Sequence, residues 1–131
     1  MAIEMEPIGI IHSAFTEPGQ VRCGETAGVR ATLEVFEQYL EGAADIKPGD
    51  KLQVYFHFHR SREAKLTVPL MGVGPMVGVF SSHSPTRPNF IGMTEVLVEA
   101  VEGANLTIVG ADMIDGTPVL DMKPAPTKTE R

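Results

Sequence analysis

The sequence predicts a mainly β protein, namely a small antiparallel β-barrel with one helix and long loops. Its 131 residues include 13 glycines and 10 prolines, a turn-rich composition that a helical bundle does not have. Several short β-prone runs follow one another, and most of them are joined by tight Gly or Pro turns. Strands and helices do not alternate along the chain, so a doubly wound parallel sheet is disfavoured.

The first third of the chain supplies one strand, one long loop and the helix. Residues 8–11, Ile-Gly-Ile-Ile, form the first β-prone run. Residues 16–30 are polar, contain glycine and have no period, so we expect a long loop of the kind that is often functional in small domains. The apolar residues of 31–44 are spaced three and four apart, which predicts a helix, although the β-branched and aromatic residues there would also suit a strand.

The remaining strands are predicted between residues 51 and 111. The clearest is 51–60, in which apolar and polar side chains alternate after a Pro-Gly turn at 47–50. Three shorter strands are predicted further along the chain, at 77–80, 95–102 and 107–111. Residues 102–105, Glu-Gly-Ala-Asn, would join the last two strands in a hairpin.

A single globular domain is expected, because 131 residues with 43% hydrophobic content can bury one core of their own. We place the barrel domain at residues 1–122 and an unpacked C-terminal tail at residues 123–131. There is no run of about 18 apolar residues, so no transmembrane span is expected. The acidic N-terminus does not resemble a secretory signal, and the single Cys23 allows no internal disulfide. We therefore expect a cytoplasmic protein.

The formal net charge of −6 does not by itself indicate a nucleic-acid partner. Affinity for phosphate normally rests on clustered Lys and Arg side chains, and here 17 acidic residues outnumber 11 basic ones. A local basic patch would still permit such a partner. The candidates for that patch are Arg60, Arg62 and Lys65, with Arg87 and the C-terminal basic residues further along the chain.

His57 and His59 are two residues apart in the clearest predicted strand, so both imidazoles would leave the same face. Two such side chains and a third ligand could hold a metal ion, but spacing indicates no third ligand. We therefore predict no metal. The neighbouring Arg60 and Arg62 favour a pocket for an anion or a carboxylate instead.

Two polar segments stand out in the second half of the chain. Residues 81–92, SSHSPTRPNFIG, form a stiff loop, because its two prolines each fix φ and lack a donor. Asp112, Asp115 and Asp121 lie in and after a turn that contains glycine and proline. Aspartates in turns usually hydrogen-bond their own backbone, which is the expectation for each of the three taken singly. Neither segment by itself defines a reaction.

Three passages of the chain, together with Phe58-His59-Arg60, resemble one known family in order and spacing. The passages are PIGIIHSAFTEP (7–18), GVFSSHSPTRPNFIGM (78–93) and DMIDGTPVLDMKP (112–124). The family is the TsaA-like family, also called the YaeB or TrmO type. Its members are S-adenosylmethionine-dependent enzymes that methylate N6 of the t6A-modified adenosine at position 37 of tRNA. The resemblance spans nearly the whole chain.

The resemblance implies a small β-barrel that acts as a homodimer, binds S-adenosylmethionine near the subunit interface and methylates tRNA. It assigns the cofactor contacts to Arg22, His59, Arg60, His83, Met93, Asp115, Gly116, Thr117 and Pro118. Further pocket or substrate contacts are implied at Arg87, Asn89, Asp121 and Lys123. No metal and no membrane are implied, and the catalytic residues are not specified.

The chain departs from the family pattern at several of these positions. His83 stands where relatives have Arg, Phe90 replaces a proline, and Ala125 stands where Tyr is usual. A permanent bidentate donor is thus replaced at position 83 by a side chain that changes charge near neutral pH. Two alternatives stay open: a methyltransferase acting on a small molecule or another RNA, and a non-catalytic module that binds the cofactor or an anion.

Overall fold

Six of the eight strands close into an antiparallel barrel. The computed structural model describes residues 1–16 and 28–126. The strands are β1 (Gly9–His12), β2 (Arg30–Val35), β3 (Lys51–His57), β4 (Thr67–Pro69), β5 (Met76–Gly78), β6 (Ile91–Glu102), β7 (Asn105–Val109) and β8 (Pro118–Pro124). The order around the barrel is β1-β2-β7-β6-β3-β8, and β8 returns to pair with β1. β4 and β5 form a separate two-stranded sheet. The predicted mainly β barrel is confirmed.

The barrel interior is filled by aliphatic side chains that alternate with outward-facing polar ones. In β3, for example, Leu52, Val54 and Phe56 are buried, whereas the residues between them are partly exposed. The largest side chains with almost no exposure are Ile11, Leu33, Leu106, Ile108, Met113, Val54, Val79, Val96, Val98 and Val119. The inward-facing side chains of the barrel strands therefore meet in one continuous apolar core.

The helix predicted over 31–44 is wrong in its first part. Residues 30–35 form β2, in which Ala31, Leu33 and Val35 point inward, and β2 pairs with both β1 and β7. Only the second part is helical, as the 3₁₀ helix Glu37–Ala43. Leu33 and Leu40 both reach the core, one from a strand and the other from this helix. Their sequence spacing therefore resembled a single helical face.

Several strand boundaries also differ from the predicted ones. The strand predicted at 77–80 is β5, which ends at Gly78 and is followed by the 3₁₀ turn Val79–Ser81. β6 begins four residues before the predicted start, and β3 ends at His57 rather than at residue 60. β8 continues to Pro124, two residues past the predicted end of the barrel domain, and the next N–H, of Ala125, donates to the Lys51 carbonyl at 2.9 Å.

The β1–β2, β3–β6 and β7–β8 connections leave the barrel at the same end, which we call the loop end. β1, β3 and β7 finish there, and β2, β6 and β8 begin there. The connections are residues 13–29, 58–90 and 110–117, of which the first is described only at its two ends. The opposite end carries the 3₁₀ helix Glu37–Ala43 and the hairpin turn at 103–104. No helix in the described part of the chain is long and apolar enough to cross a membrane.

Closure of the barrel requires a glycine at position 9. Gly9 pairs with Val35 of β2 on one side and with Val119 of β8 on the other. A Cβ at this position would collide with the backbone carbonyl of Glu34, which belongs to the neighbouring strand and cannot rotate away. β2 can therefore approach β1 this closely only because position 9 has no side chain.

We expect Gly9→Ala to destabilise the fold by about 1–3 kcal/mol, the usual cost of overpacking a closely fitted position. The measurement is chemical unfolding followed by circular dichroism. Gly42→Ala is the matched control, since an added Cβ there meets no atom within 4 Å. Equal unfolding free energies for the two variants would show that closure does not depend on the missing side chain at position 9.

Candidate functional site

The β7–β8 connection is held by four hydrogen bonds, three to the start of the β1–β2 connection and one to β1. The Ser13 N–H donates to Asp115 Oδ1 at 3.0 Å, and the Asp115 N–H donates to the Phe15 carbonyl at 2.5 Å. The Gly116 N–H donates to the Ile11 carbonyl at 2.8 Å, and the Ser13 hydroxyl donates to the carbonyl of Met113 at 2.9 Å. Asp115 thus joins two segments that are far apart in sequence, which is more than the local turn contact expected of it.

Thr117 closes the turn that ends the same connection. Its hydroxyl donates to the Ile114 carbonyl at 2.6 Å, and its N–H donates to the same oxygen at 3.2 Å. Thr117 is buried, and Gly116 has a φ of 83°, which a residue with a side chain rarely adopts. Pro118 then begins β8. Thr117 and Gly116 therefore set the shape of the turn. The turn in turn holds the exposed Asp115 at the loop end.

His59 lies against this turn. A Cβ built on Gly116 would be 3.8 Å from His59 Nε2, so the β3–β6 and β7–β8 connections are in contact here. His59 Nδ1 is buried and has no hydrogen-bond partner among residues 1–16 and 28–126. Burial lowers the pKa of the His59 imidazole, and the positive charge of Arg60 lowers it further. The ring is therefore neutral at pH 7.

Arg60 and Arg62 follow His59, and each donates a hydrogen bond to a backbone carbonyl. The Arg60 guanidinium donates to the Thr16 carbonyl at 3.3 Å, which connects it to the β1–β2 connection. The Arg62 guanidinium donates to the carbonyl of His59 at 3.2 Å. Both side chains are exposed, so positive charge is concentrated on this side of the loop end.

The loop 81–92 is stiffened from within by its own side chains. The guanidinium of Arg87 donates to the carbonyls of Ser82 and Ser84, at 2.8 and 3.3 Å, and the hydroxyls of Ser84 and Thr86 lie 2.8 Å apart. Arg87 was predicted as a pocket or substrate contact, and its guanidinium holds the loop together through these bonds. Asn89 remains exposed at φ 65°, a conformation that Asn tolerates better than most residues.

His83 and Asp112 approach each other at the loop end from two different connections. Asp112 Oδ1 is buried and has no hydrogen-bond partner within the described residues. Burial raises the pKa of the Asp112 carboxyl, although a hydrogen bond from its own backbone N–H, the hydroxyl of Thr94 and the charge of His83 oppose this shift, in that order. Thr94 belongs to β6, next to the exposed Met93. One carboxyl group is therefore held inside the site with its charge incompletely compensated.

Three of the predicted contact residues, Asp121, Lys123 and Met93, lie inside barrel strands and not in the connections of the loop end. Asp121 and Lys123 are on the exposed side of β8, where they pair in register with Tyr55 and Gln53 of β3. The Lys123 ammonium is 5.6 Å from the centre of the Tyr55 ring, a cation–π contact on the outer wall of the barrel. Met93 pairs with Tyr55 from the β6 side, so it is in the same cross-strand row as Asp121. The other described members of the predicted set are in the connections of the loop end or, for Pro118, at the start of β8. Arg22 lies outside the described residues.

The two-histidine face predicted for β3 does not form. The strand ends at His57, whose ring packs edge-to-face on Phe90 with the ring centroids 6.1 Å apart. His59 lies beyond the strand, and its Nε2 is close to Gly116. Within the parts of the chain that the structure describes, no three His, Cys, Asp or Glu residues are grouped to hold a metal ion.

The sequence analysis did not identify Ser13, Thr94 or Asp112 as site residues. Ser13 is within the first passage that carries the family resemblance, but its bond to Asp115 depends on closure of the barrel. Asp112 was noted only as a turn aspartate. Its burial beside Thr94 depends on the path of the β7–β8 connection past β6, which no local pattern indicates.

Comparison with known proteins gives consistent matches over almost the whole chain. Residues 10–130 match the family model described as the tRNA-methyltransferase O N-terminal domain. A probable S-adenosyl-L-methionine-binding protein of Pyrococcus abyssi is 40% identical over 120 residues, which are 90% of this chain and 65% of that protein. The tRNA (adenine(37)-N6)-methyltransferase of Mus musculus is 36% identical over 131 residues, covering 91% of this chain and 30% of the mouse enzyme.

A solved structure agrees with these sequence matches. The crystal structure of TrmO from Pseudomonas aeruginosa superposes with a TM-score of 0.79 and 29% sequence identity, and the match covers 100% of this chain and 58% of that one. The chain thus spans 65% or less of each of these three proteins. Since the family model matches nearly every residue, the chain belongs to the family of tRNA-methyltransferase O N-terminal domains.

Proposed function

We propose that this domain binds S-adenosylmethionine at the loop end and transfers its methyl group to N6 of adenosine 37 in tRNA. The observation that supports this most strongly is the convergence of His59, His83 and the Asp115–Thr117 turn from two separate connections at one end of the barrel. The relatives' names point to the same cofactor and the same acceptor. Such an activity would place the protein in the cytoplasm, where tRNA is found.

The groups at the loop end fit this cofactor. The buried, unpartnered Nδ1 of His59 would be satisfied by a polar group of a bound ligand, and few buried polar atoms in proteins lack a partner. The positive charge of Arg60 and Arg62 suits the carboxylate of the methionine portion. His59, Arg60, His83 and the Asp115–Pro118 turn are the residues that we assign to holding the cofactor.

The sulfonium of the cofactor supplies an activated methyl group, so the protein's contribution is mainly to position donor and acceptor. When two reactants are bound in alignment, the entropy of bringing them together is lost on binding and no longer adds to the activation barrier. The stiff loop 81–92 and the fastened turn at 113–117 provide fixed polar groups for this purpose, since both are hydrogen-bonded internally before any ligand arrives. Preorganised groups lose little further freedom on binding.

We also propose that two copies of the chain associate through the β4–β5 hairpin. Its segment carries exposed apolar side chains, among which Met71 is 70%, Val73 93% and Phe80 76% exposed. Several large apolar side chains exposed in one segment are typical of an interaction surface. The hairpin belongs to the same connection as His59 and His83, so a second copy bound there would lie beside the proposed cofactor site.

The transfer reaction itself is the direct test of the proposed function. Incubation with S-adenosylmethionine and tRNA that carries t6A should give N6-methylated t6A, detected by mass spectrometry of the digested nucleosides. Binding of S-adenosylhomocysteine without transfer would support a non-catalytic module instead. Transfer to another acceptor would favour the alternative substrate, and absence of binding would overturn the proposal.

The neutral state of His59 gives a prediction about pH. Because its pKa in the folded protein is below the unfolded value of 6.5, its stabilising contribution is complete above that value. That contribution is lost as the pH falls through 6.5 toward the folded pKa. We expect His59→Gln to weaken S-adenosylhomocysteine binding at pH 7.5 and to flatten the decline of thermal stability between pH 7.5 and 5. An unchanged pH slope in the variant would contradict a buried neutral imidazole.

The proposed dimer can be tested with charge on the hairpin. Val73→Glu should convert a dimer into a monomer in analytical ultracentrifugation, because a carboxylate cannot be buried in an apolar interface without a large desolvation cost. Ala44→Glu, an exposed change near the opposite end of the barrel, is the control and should leave the dimer intact. A wild-type protein that sediments as a monomer would remove this part of the proposal.

A further inference from the structure

Two buried polar side-chain atoms have no hydrogen-bond partner within residues 1–16 and 28–126, and both are at the loop end. They are His59 Nδ1 and Asp112 Oδ1. Buried polar atoms are nearly always paired, so an unpaired one marks a strained, catalytic or ligand-binding group. The family resemblance assigns a role to His59 but none to Asp112.

The position of Asp112 is energetically unfavourable in the protein without ligand. Burial raises the pKa of its carboxyl, which means that the environment destabilises the carboxylate. The backbone N–H of Asp112 itself, the Thr94 hydroxyl and His83 reduce this effect without removing it. At position 83 a permanent guanidinium, as in the family pattern, would offer Asp112 a fixed countercharge, whereas histidine offers one only when protonated. The negative charge of the Asp112 carboxylate is therefore only partly compensated, and a bound cation would stabilise it.

We propose that Asp112 binds the ammonium group of the methionine portion of S-adenosylmethionine, with Oδ1 accepting one of its N–H donors. This inference rests on the proposed function, because it assigns one more contact in the same site. It also gives the amino-acid portion two oppositely charged partners: the ammonium faces Asp112 of the β7–β8 connection, and the carboxylate faces the arginines that follow His59.

Among the donors of this cofactor, the ammonium group matches the carboxylate best. A ribose hydroxyl or the adenine amino group would complete the hydrogen bond but would leave the buried negative charge unneutralised. An ammonium group supplies both a donor and a positive charge, and charge-assisted bonds are the stronger class. Asp115 is a weaker candidate, since it is exposed and its Oδ1 already accepts the Ser13 N–H.

The test compares three ligands by calorimetric titration of the wild-type protein and of Asp112→Asn. S-Adenosylhomocysteine has the ammonium and the carboxylate, decarboxylated S-adenosylmethionine keeps only the ammonium, and 5′-methylthioadenosine lacks both. We expect the variant to bind the first two on the order of tenfold or more weakly, as for loss of a hydrogen bond to a charged group. Its affinity for methylthioadenosine should not change. Asp45→Asn, which removes an exposed carboxylate outside the loop end, is the matched control.

Each of the other outcomes overturns the inference. An equal loss for all three ligands would place Asp112 against the nucleoside or give it a purely structural role. Unchanged affinity for every ligand would remove it from the cofactor site. If the wild-type protein binds none of the three ligands, the proposed function fails as well, so the two failures are distinguishable.

Thermal stability without ligand provides a second readout. Because the folded environment disfavours the Asp112 carboxylate, its ionised form lowers stability at pH 7, and the neutral amide in Asp112→Asn relieves that cost. We expect the ligand-free variant to melt at a temperature equal to or above that of the wild type. A clearly lower melting temperature would mean that Asp112 serves the fold, and would contradict the inference.

Discussion

Closure of the barrel between β1 and β8 is the constraint on which the rest of the structure depends. The closing hydrogen bonds run from the Ile8 N–H to the Val119 carbonyl at 2.8 Å and from the Ile11 N–H to the Thr117 carbonyl at 3.0 Å. Immediately beyond this seam, Ser13 and Asp115 continue the same association outside the sheet. The interaction that completes the barrel therefore also fixes the turn that we assign to the cofactor site.

Antiparallel closure also explains where the functional groups are. Because the strands are antiparallel, the β1–β2, β3–β6 and β7–β8 connections all emerge at the loop end. Of the residues that the structure describes, the two with an unpartnered buried polar side-chain atom, His59 and Asp112, are at this end. A protein that retains such groups loses some stability in exchange for a site that is ready for its ligand. Fold stability and binding are thus assigned largely to different parts of the chain.

The sequence was most informative where structure is local. The alternation in β3 and the hairpin at 102–105 were predicted because period and turn chemistry act between near neighbours. The helix over 31–44 was wrong since Leu33 and Leu40 reach one core from two elements. The hydrogen bond between Asp115 and Ser13 and the burial of Asp112 both depend on closure of the barrel, which brings distant parts of the chain together. The spacing of residues in the sequence could therefore predict neither of them. The family resemblance supplied the chemistry that pattern alone left open.

The measurement that tests the central claim most directly is a crystal structure of the protein with S-adenosylhomocysteine. The claim is that the loop end holds the cofactor between the connection that bears His59 and the turn at Asp115. We predict ligand density there, with a polar ligand atom within hydrogen-bonding distance of His59 Nδ1. Density elsewhere, for example on the outer wall of the barrel beside Tyr55 and Lys123, would contradict it.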